Sequence, residues 1–381
     1  MNILVATFSF PPEIGGIAAY TFEICRGLLR QKYDITLWTK SSVIKKGAIP
    51  PGFDIITVEE SQFTTGWLRR HRSELAWQEV LKNSKPDLVL IPKADVFSRE
   101  PAYWANQSGI PFTAILHGNE TLVKNDPLLK AKRVITVSNA VKQRLPEPLR
   151  ENAIVIANGV DTVRFSAGKP DLESLHKLEL DTAPPGILNV GSWRPHKGQA
   201  LLLETMAHLP RPPEGPELWL VGSGPDERKL RQLADKYHVF DRIRWLGPVN
   251  DEELISVYRK AGFVVLASHG TVFGELEGFG LPVLEAAACG KPAIVTNSGG
   301  LPEAVVDGTT GFVVNDPTPL SFANAIQTLW NDNTLREKMG AAACERAVRD
   351  FTWEAILQKL GREIRKLIHE NQMLTGIEND E

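Results

Sequence analysis

The chain has 381 residues, 43% hydrophobic and 23% charged, with three cysteines and a formal net charge of -3, a balance that excludes a fibrous, disordered or disulfide-built protein. At roughly 150 residues per domain the length gives two or three units, and two is the expectation. Residues 1–150 carry 20 Lys and Arg against 14 Asp and Glu, net +6, while residues 151–381 carry 23 against 32, net -9; this fits either a basic surface for an anionic partner or scattered solvated charge.

Ile3-Leu4-Val5-Ala6 is a short apolar run, a strand, followed by the breaker-rich stretch from Phe10 to Gly16. Tyr20, Ile24, Leu28 and Leu29 then recur at helical spacing, which makes a strand, glycine loop, helix unit. Residues 35–38 read as a strand, 75–81 as a helix, and 87–91 and 112–116 as buried strands. The proline-bearing segment from Gly168 to Gly186 reads as a linker. A second series follows, with strands at 187–190, 218–221, 263–266 and 293–295 separated by helical stretches. Strands alternating with helices at this rhythm imply two doubly wound α/β sheets.

Cys25, Cys289 and Cys344 show neither disulfide nor zinc spacing, which fits a reducing cytoplasm. No Asp-x-Asp occurs, so no carboxylate-bound metal is expected. No apolar run is long enough for a membrane helix, and the first residues lack the basic start of a signal peptide.

The segment Glu277-Gly278-Phe279-Gly280-Leu281-Pro282-Val283-Leu284-Glu285 places two glycines just before a helix with proline in its first turn. Free backbone N–H groups and the helix dipole there suit a diphosphate, and a carboxylate farther along suits hydroxyls; a capped helix with two solvated glutamates is the plainer reading. Gly191 to Gly198 follows the first strand of the second series, where open parallel sheets bind ligands. Its Lys197 and Arg194 could neutralise a departing diphosphate, or be exposed loop cations. In the first half, Gly15-Gly16 permits close approach to a phosphate, or a plain turn. His117, in Leu116-His117-Gly118-Asn119-Glu120, lies in a strand-end loop of the kind that carries ligand sites. Gly222-Ser223-Gly224-Pro225 lacks the third glycine of a dinucleotide fingerprint, which disfavours a hydride-transferring enzyme.

At these residues the sequence resembles the retaining glycosyltransferases of family 4, over nearly the whole chain. The matching features are Gly15-Gly16, the His117 loop, Asn158-Gly159-Val160-Asp161, Lys197-Gly198, Gly222 to Pro225, Glu277 with Glu285, Ser298-Gly299-Gly300-Leu301-Pro302-Glu303, and Phe351-Thr352-Trp353. The resemblance implies the GT-B architecture: two Rossmann-like domains facing across a cleft, the first spanning 1–168, the second 169–356, and a C-terminal helix, 357–381, crossing back. It implies that Glu285 binds ribose hydroxyls and that Glu277 lies near the donor sugar. Backbone N–H groups of Phe279, Gly280 and Leu281 would hold sugar hydroxyls and phosphate. Gly16 would touch the diphosphate, Lys197 would stabilise its departing charge, and His117 would contact the donor sugar beside the acceptor. The family often has arginine where this chain has Ser192, and Arg194 is the candidate replacement.

The implied chemistry is transfer of a hexosyl group from a UDP- or GDP-sugar to an acceptor hydroxyl with retention, without metal or other cofactor, in cell-envelope glycolipid or polysaccharide synthesis. The pattern after His117 leans toward GDP-mannose and lipid-modifying mannosyltransferases. Trp67 to Arg72, with Leu75, Trp77, Leu81 and the upstream Lys45-Lys46, suggests peripheral contact with an anionic membrane or a lipid-linked or phosphorylated glycan acceptor. A surface helix with a solvated basic face is the alternative there. No nucleic-acid partner is expected. The competing functions are a catalytically silent sugar-nucleotide-binding subunit and a GT-B epimerase or phosphorylase.

Overall fold

A computed structural model describes residues 1–11, 16–40, 52–58, 66–95, 97–118, 120, 122, 125–270 and 275–375. Its contacts divide into two units: Met1–Asn158 with Trp353–Glu381, and Gly159–Thr352.

The first unit holds a seven-stranded sheet of β1 (Asn2–Ala6), β2 (Asp34–Lys40), β3 (Asp54–Val58), β4 (Leu88–Ile91), β5 (Phe112–Leu116), β6 (Arg133–Thr136) and β7 (Ala153–Val155) in the order β3-β2-β1-β4-β5-β6-β7. Every pairing is parallel. The second unit holds β8 (Ile187–Val190), β9 (Leu218–Val221), β10 (Ile243–Gly247), β11 (Phe263–Leu266), β12 (Ala293–Thr296) and β13 (Gly311–Val314) in the order β10-β9-β8-β11-β12-β13, again all parallel. The central strands β4, β5, β9, β11 and β12 are buried throughout, because helices cover both faces and leave no side of the strand for polar residues. These are two Rossmann-like α/β sheets. In each, the strand order reverses beside the first strand, between β1 and β4 and between β8 and β11. Outside the carboxyl ends of those strands lies the crevice where such sheets bind ligands.

The structure extends and corrects the sequence reading. β3, β6, β7, β10 and β13 were not expected. β3, β7, β10 and β13 are the edge strands and β6 lies next to an edge; Asp54–Val58 and Ile243–Gly247 have only partial burial, so neither shows the apolar run that marks a central strand. The helix expected at 75–81 spans Gly66–Asn83. Asp87 stands outside β4 and accepts the Asn2 N–H at 2.8 Å, which holds β1 in register. The stretch expected as a linker contains a helix, Leu172–Lys177, capped by the Asp171 carboxylate on the Ser174 N–H at 2.7 Å.

The units divide at 158/159 and 352/353 rather than at 168/169 and 356/357. Two anchors explain the shift. The Val160 N–H donates to the Phe351 carbonyl at 2.8 Å, and Arg259 holds Ser166 through its carbonyl at 2.9 Å and its hydroxyl at 3.1 Å. The C-terminal helix Trp353–Thr375 packs in the first unit against the helix Gly16–Arg30. Gln31 donates to the Leu357 carbonyl at 3.0 Å, and Arg133 pairs with Glu363 at 2.7 Å.

Candidate functional site

In the second unit the loops after β8 and β11, the two strands flanking the reversal, bring together residues 80 positions apart. Lys197 ends a short 3-10 turn, Pro195–Lys197, and its ammonium meets a Glu277 carboxylate oxygen at 2.6 Å, with both side chains largely covered. The Ser268 hydroxyl donates to the same oxygen at 3.2 Å. The turn can sit there because Gly198 adopts φ 73° with its α-carbon against β11's exit: a Cβ would stand 2.0 Å from the Ala267 carbonyl oxygen. His196, buried in the same turn, has its ring's affinity for a second proton lowered by burial first and by the Lys197 charge next.

The glycine loop is seated in the same way. The Gly300 N–H donates to the Glu277 carbonyl at 2.9 Å. A Cβ at Gly299 would lie 2.2 Å from the Glu277 oxygen and one at Gly300 2.1 Å from the Gly278 oxygen, so the Ser298 to Glu303 motif works as a seat for the loop. Gly280, at φ 89°, then opens the helix Leu281–Ala288 with Pro282 in its first turn. The Phe279 side chain is buried and packs on Phe351 at 5.5 Å, which leaves this loop's backbone as its polar surface. One turn into the helix, Glu285 accepts the Tyr258 hydroxyl at 2.7 Å. Burial pushes the Glu285 carboxyl above its ordinary value, with the Tyr258 hydrogen bond pulling the other way.

Gly222-Ser223-Gly224 has a packing role. The Trp193 N–H donates to the Ser223 carbonyl at 2.9 Å, and a Cβ at Gly222 or Gly224 would lie 2.0 or 2.3 Å from a backbone oxygen of the Gly191 to Trp193 segment. Arg194 is exposed, and among the described residues its side chain makes no ion pair, so the structure does not tie it to the Lys197 and Glu277 cluster.

In the first unit His117 follows β5 directly. Both Glu120 carboxylate oxygens turn back to its loop, accepting the His117 N–H at 2.6 Å and the Gly118 N–H at 2.7 Å. The His117 ring lies edge-on to Tyr20 at 4.8 Å, and Nε2 is 2.9 Å from the Pro92 carbonyl. A carbonyl only accepts, so Nε2 carries the proton and the neutral ring presents Nδ1 as an acceptor. Burial pulls the ring's affinity for a second proton below its ordinary value, with the Glu120 charge opposing. Gly16 begins its helix and is exposed; Gly15 lies outside the described residues.

Of the basic and aromatic residues expected to meet a membrane or an anionic acceptor, Trp77 is internal. Trp77 is fully buried and donates to Ser108 at 2.8 Å, so it belongs to the core. Arg70 lies over the Tyr103 ring and bonds its hydroxyl, and Arg72 also has a partner. Lys45, Lys46 and the side chains of Trp67, Leu68 and Arg69 lie outside the described residues. No helix among the described residues is long and apolar enough to cross a membrane.

Two family models match the chain, "Glycosyltransferase Family 4" over residues 14–164 and "Glycosyl transferases group 1" over residues 171–346. The chain belongs to the family 4 glycosyltransferases. It is 32% identical over 249 residues to the D-inositol 3-phosphate glycosyltransferase of Corynebacterium diphtheriae, a match covering 63% of this chain and 56% of that protein. It is 26% identical to the GDP-mannose-dependent alpha-(1-6)-phosphatidylinositol monomannoside mannosyltransferase of Mycobacterium tuberculosis, over 96% of this chain and 98% of the other. Among solved structures, sucrose-phosphate synthase of Thermosynechococcus elongatus has the same fold, with a TM-score of 0.79 at 21% identity over 97% of this chain and 99% of that one. The Anabaena protein HepE, solved with UDP and glucose, superposes with a TM-score of 0.77 at 21% identity over 96% and 100%.

Sequence reasoning named Lys197, Glu277, Glu285 and His117 but missed how they are held. Ser268 and Tyr258 are partners it lacked, and Glu120, named in the His117 loop, was not read as the acceptor that holds it. Glu120 alone had a local signal, a carboxylate three residues past the N–H it accepts.

Proposed function

We propose that this glycosyltransferase moves a hexosyl group from a UDP- or GDP-sugar to an acceptor hydroxyl with retention, independently of metal, in glycolipid or polysaccharide synthesis at the cytoplasmic face of a membrane. The observation that carries the reading is the Lys197 and Glu277 pair at 2.6 Å beside the β8 and β11 reversal, with the glycine-opened helix bearing Glu285 next to it. The N-terminal end of that helix, with its positive dipole end and the glycine-loop backbone, suits a diphosphate. Glu285 suits ribose hydroxyls, which would replace or join the Tyr258 hydroxyl it now accepts. Lys197 keeps two further N–H donors beyond the one it gives Glu277, and a fixed cation there stabilises a departing diphosphate by about 3–4 kcal/mol of barrier. In the step, the bond from the anomeric carbon to the diphosphate oxygen breaks. The acceptor oxygen bonds that carbon on the same face, and its proton passes to the departing phosphate. The chain's residues orient and stabilise, and no side chain needs to form a covalent intermediate.

His117, neutral with Nδ1 free to accept, suits a sugar hydroxyl. The names of the relatives, which cite GDP-mannose and an inositol lipid in one case and inositol 3-phosphate in another, support a donor of this class and a phosphorylated or lipid acceptor.

The experiment pairs a donor panel with acceptors drawn from inositol phosphates and membrane lipid extracts, in EDTA, and reads the product anomer by NMR. The reading predicts an α-linked product from an α-linked donor with activity intact in EDTA. An inverted product would remove retention, and a metal requirement would remove metal independence. Donor binding without transfer would favour a silent binding subunit; free nucleotide released without an acceptor would favour an epimerase, and dependence on inorganic phosphate a phosphorylase.

A further inference from the structure

The helices Gly16–Arg30 and Trp353–Thr375 of the first unit flank an open cavity of about 760 Å³, lined by Arg26, Arg30, Arg362 and Arg365 against the two carboxylates Glu23 and Glu354. Glu23 pairs with Arg26 at 2.6 Å. Among the described residues the other three arginines make no ion pair; Arg365 gives one N–H to the Tyr33 hydroxyl at 3.3 Å and Arg362 one to the Gln358 carbonyl at 3.4 Å. A guanidinium has five donors, so most of theirs point to water. Arg26 and Arg30 stand four residues apart on one helix and Arg362 and Arg365 three apart on the other, spacings at which like charges repel and weaken a helix. A bound anion would relieve that repulsion.

The walls are fixed at short range. A Cβ at Gly27 would fall 2.1 Å from the Leu357 side chain and one at Gly361 2.1 Å from the Gln31 amide oxygen, so the helices lie as close as glycine allows and hold the arginines at a set separation. The cavity also presents the Trp353 indole and the Gln358 amide. An aromatic face covers the apolar side of a pyranose, an amide and a carboxylate bond its hydroxyls, and guanidinium groups take a phosphate.

We propose that this cavity is a second ligand site, separate from the sheet-edge site, that binds a phosphorylated saccharide. The assignment stands on the cavity's own residues and does not depend on the donor or acceptor of the transfer reaction. Calorimetric titration of the full chain with glucose 6-phosphate, and separately with glucose and with inorganic phosphate, tests it, alongside sedimentation with phosphatidylglycerol vesicles. The expected result is saturable glucose 6-phosphate binding, at least tenfold tighter than either glucose or phosphate. The double variant R30E/R362E, altered only at exposed side chains, keeps the wild-type Tm and loses at least tenfold in that affinity. Trp353→Phe loses several-fold for glucose 6-phosphate and nothing for inorganic phosphate. Absence of binding, binding unchanged in R30E/R362E, or phosphate binding as tightly as the sugar phosphate overturns the proposal. So does vesicle binding through Arg30 and Arg362 with no response to the sugar phosphate.

Discussion

The two sheets share a topology and differ in what they place at the carboxyl ends of their strands. In the second unit the edge is charged and cross-linked by side chains: Lys197 on Glu277, Ser268 on the same oxygen, Tyr258 on Glu285. In the first unit the central residue is a neutral histidine, held through backbone groups by the Glu120 carboxylate and the Pro92 carbonyl. The contrast runs against the formal charges, since the half with the positive excess presents a neutral histidine and the acidic half presents the paired lysine. Net charge therefore says little about where a charged ligand sits, because a local pair outweighs scattered surface charge at close range.

The largest expected effect tests the charged side. Lys197→Ala lowers kcat by about 10²–10³, about 3–4 kcal/mol of barrier, and also lowers Tm, because the largely covered Glu277 carboxylate loses its cation. Arg194→Ala changes kcat far less, as an exposed arginine without an ion pair should; a loss equal to that of Lys197→Ala would make Arg194 the family arginine's replacement.

The next test concerns how that edge is built. Gly198→Ala forces a Cβ to within 2.0 Å of the Ala267 carbonyl at a φ of 73°. Thermal or urea unfolding should show a loss of about 2–3 kcal/mol, and wild-type stability would mean that the loop is not fixed by this approach.

A smaller effect separates binding from catalysis. Glu285→Gln keeps an acceptor and the shape but removes the charge, and should raise the donor Kd about tenfold, about 1.4 kcal/mol, with kcat at saturating donor changed less. A kcat loss matching that of Lys197→Ala would contradict a role confined to the nucleotide.

The smallest effect probes the buried histidine. Burial lowers the His117 affinity for a proton below its ordinary 6.5, so on acidification the unfolded chain takes up that proton before the folded one does. The stability attached to this histidine is therefore full above pH 6.5 and fades as pH falls below it. Comparing Tm at pH 7.5 and 5.5 in the wild type and His117→Gln should show a steeper acid loss in the wild type; equal slopes would mean that the ring charges freely in the folded state.

Much of this was legible in the chain. Continuous apolar runs such as Phe263 to Leu266 and Ala293 to Val295 announce buried parallel strands, and Gly280 before Pro282 announces a helix start. The outer strands were not legible, because half-covered segments such as Ile243–Gly247 mix Arg, Trp and Gly and lose the signature. The site residues were legible by type and the pairs were not, since Lys197 and Glu277 meet only through the strand order of a folded sheet. Trp77 shows the opposite failure: beside three arginines it reads as an interfacial residue, yet its helix turns it into the core.

The most direct measurement is a thermal-shift panel of UDP-, GDP- and ADP-sugars on the wild type, Glu285→Ala and Lys197→Ala, because a ligand that binds the folded state must raise Tm by mass action. The account predicts that a UDP- or GDP-sugar raises the wild-type Tm, that Glu285→Ala abolishes the rise, and that Lys197→Ala reduces it. No shift with any nucleotide sugar, or a shift that Glu285→Ala leaves intact, would contradict the placement of the donor at this sheet edge.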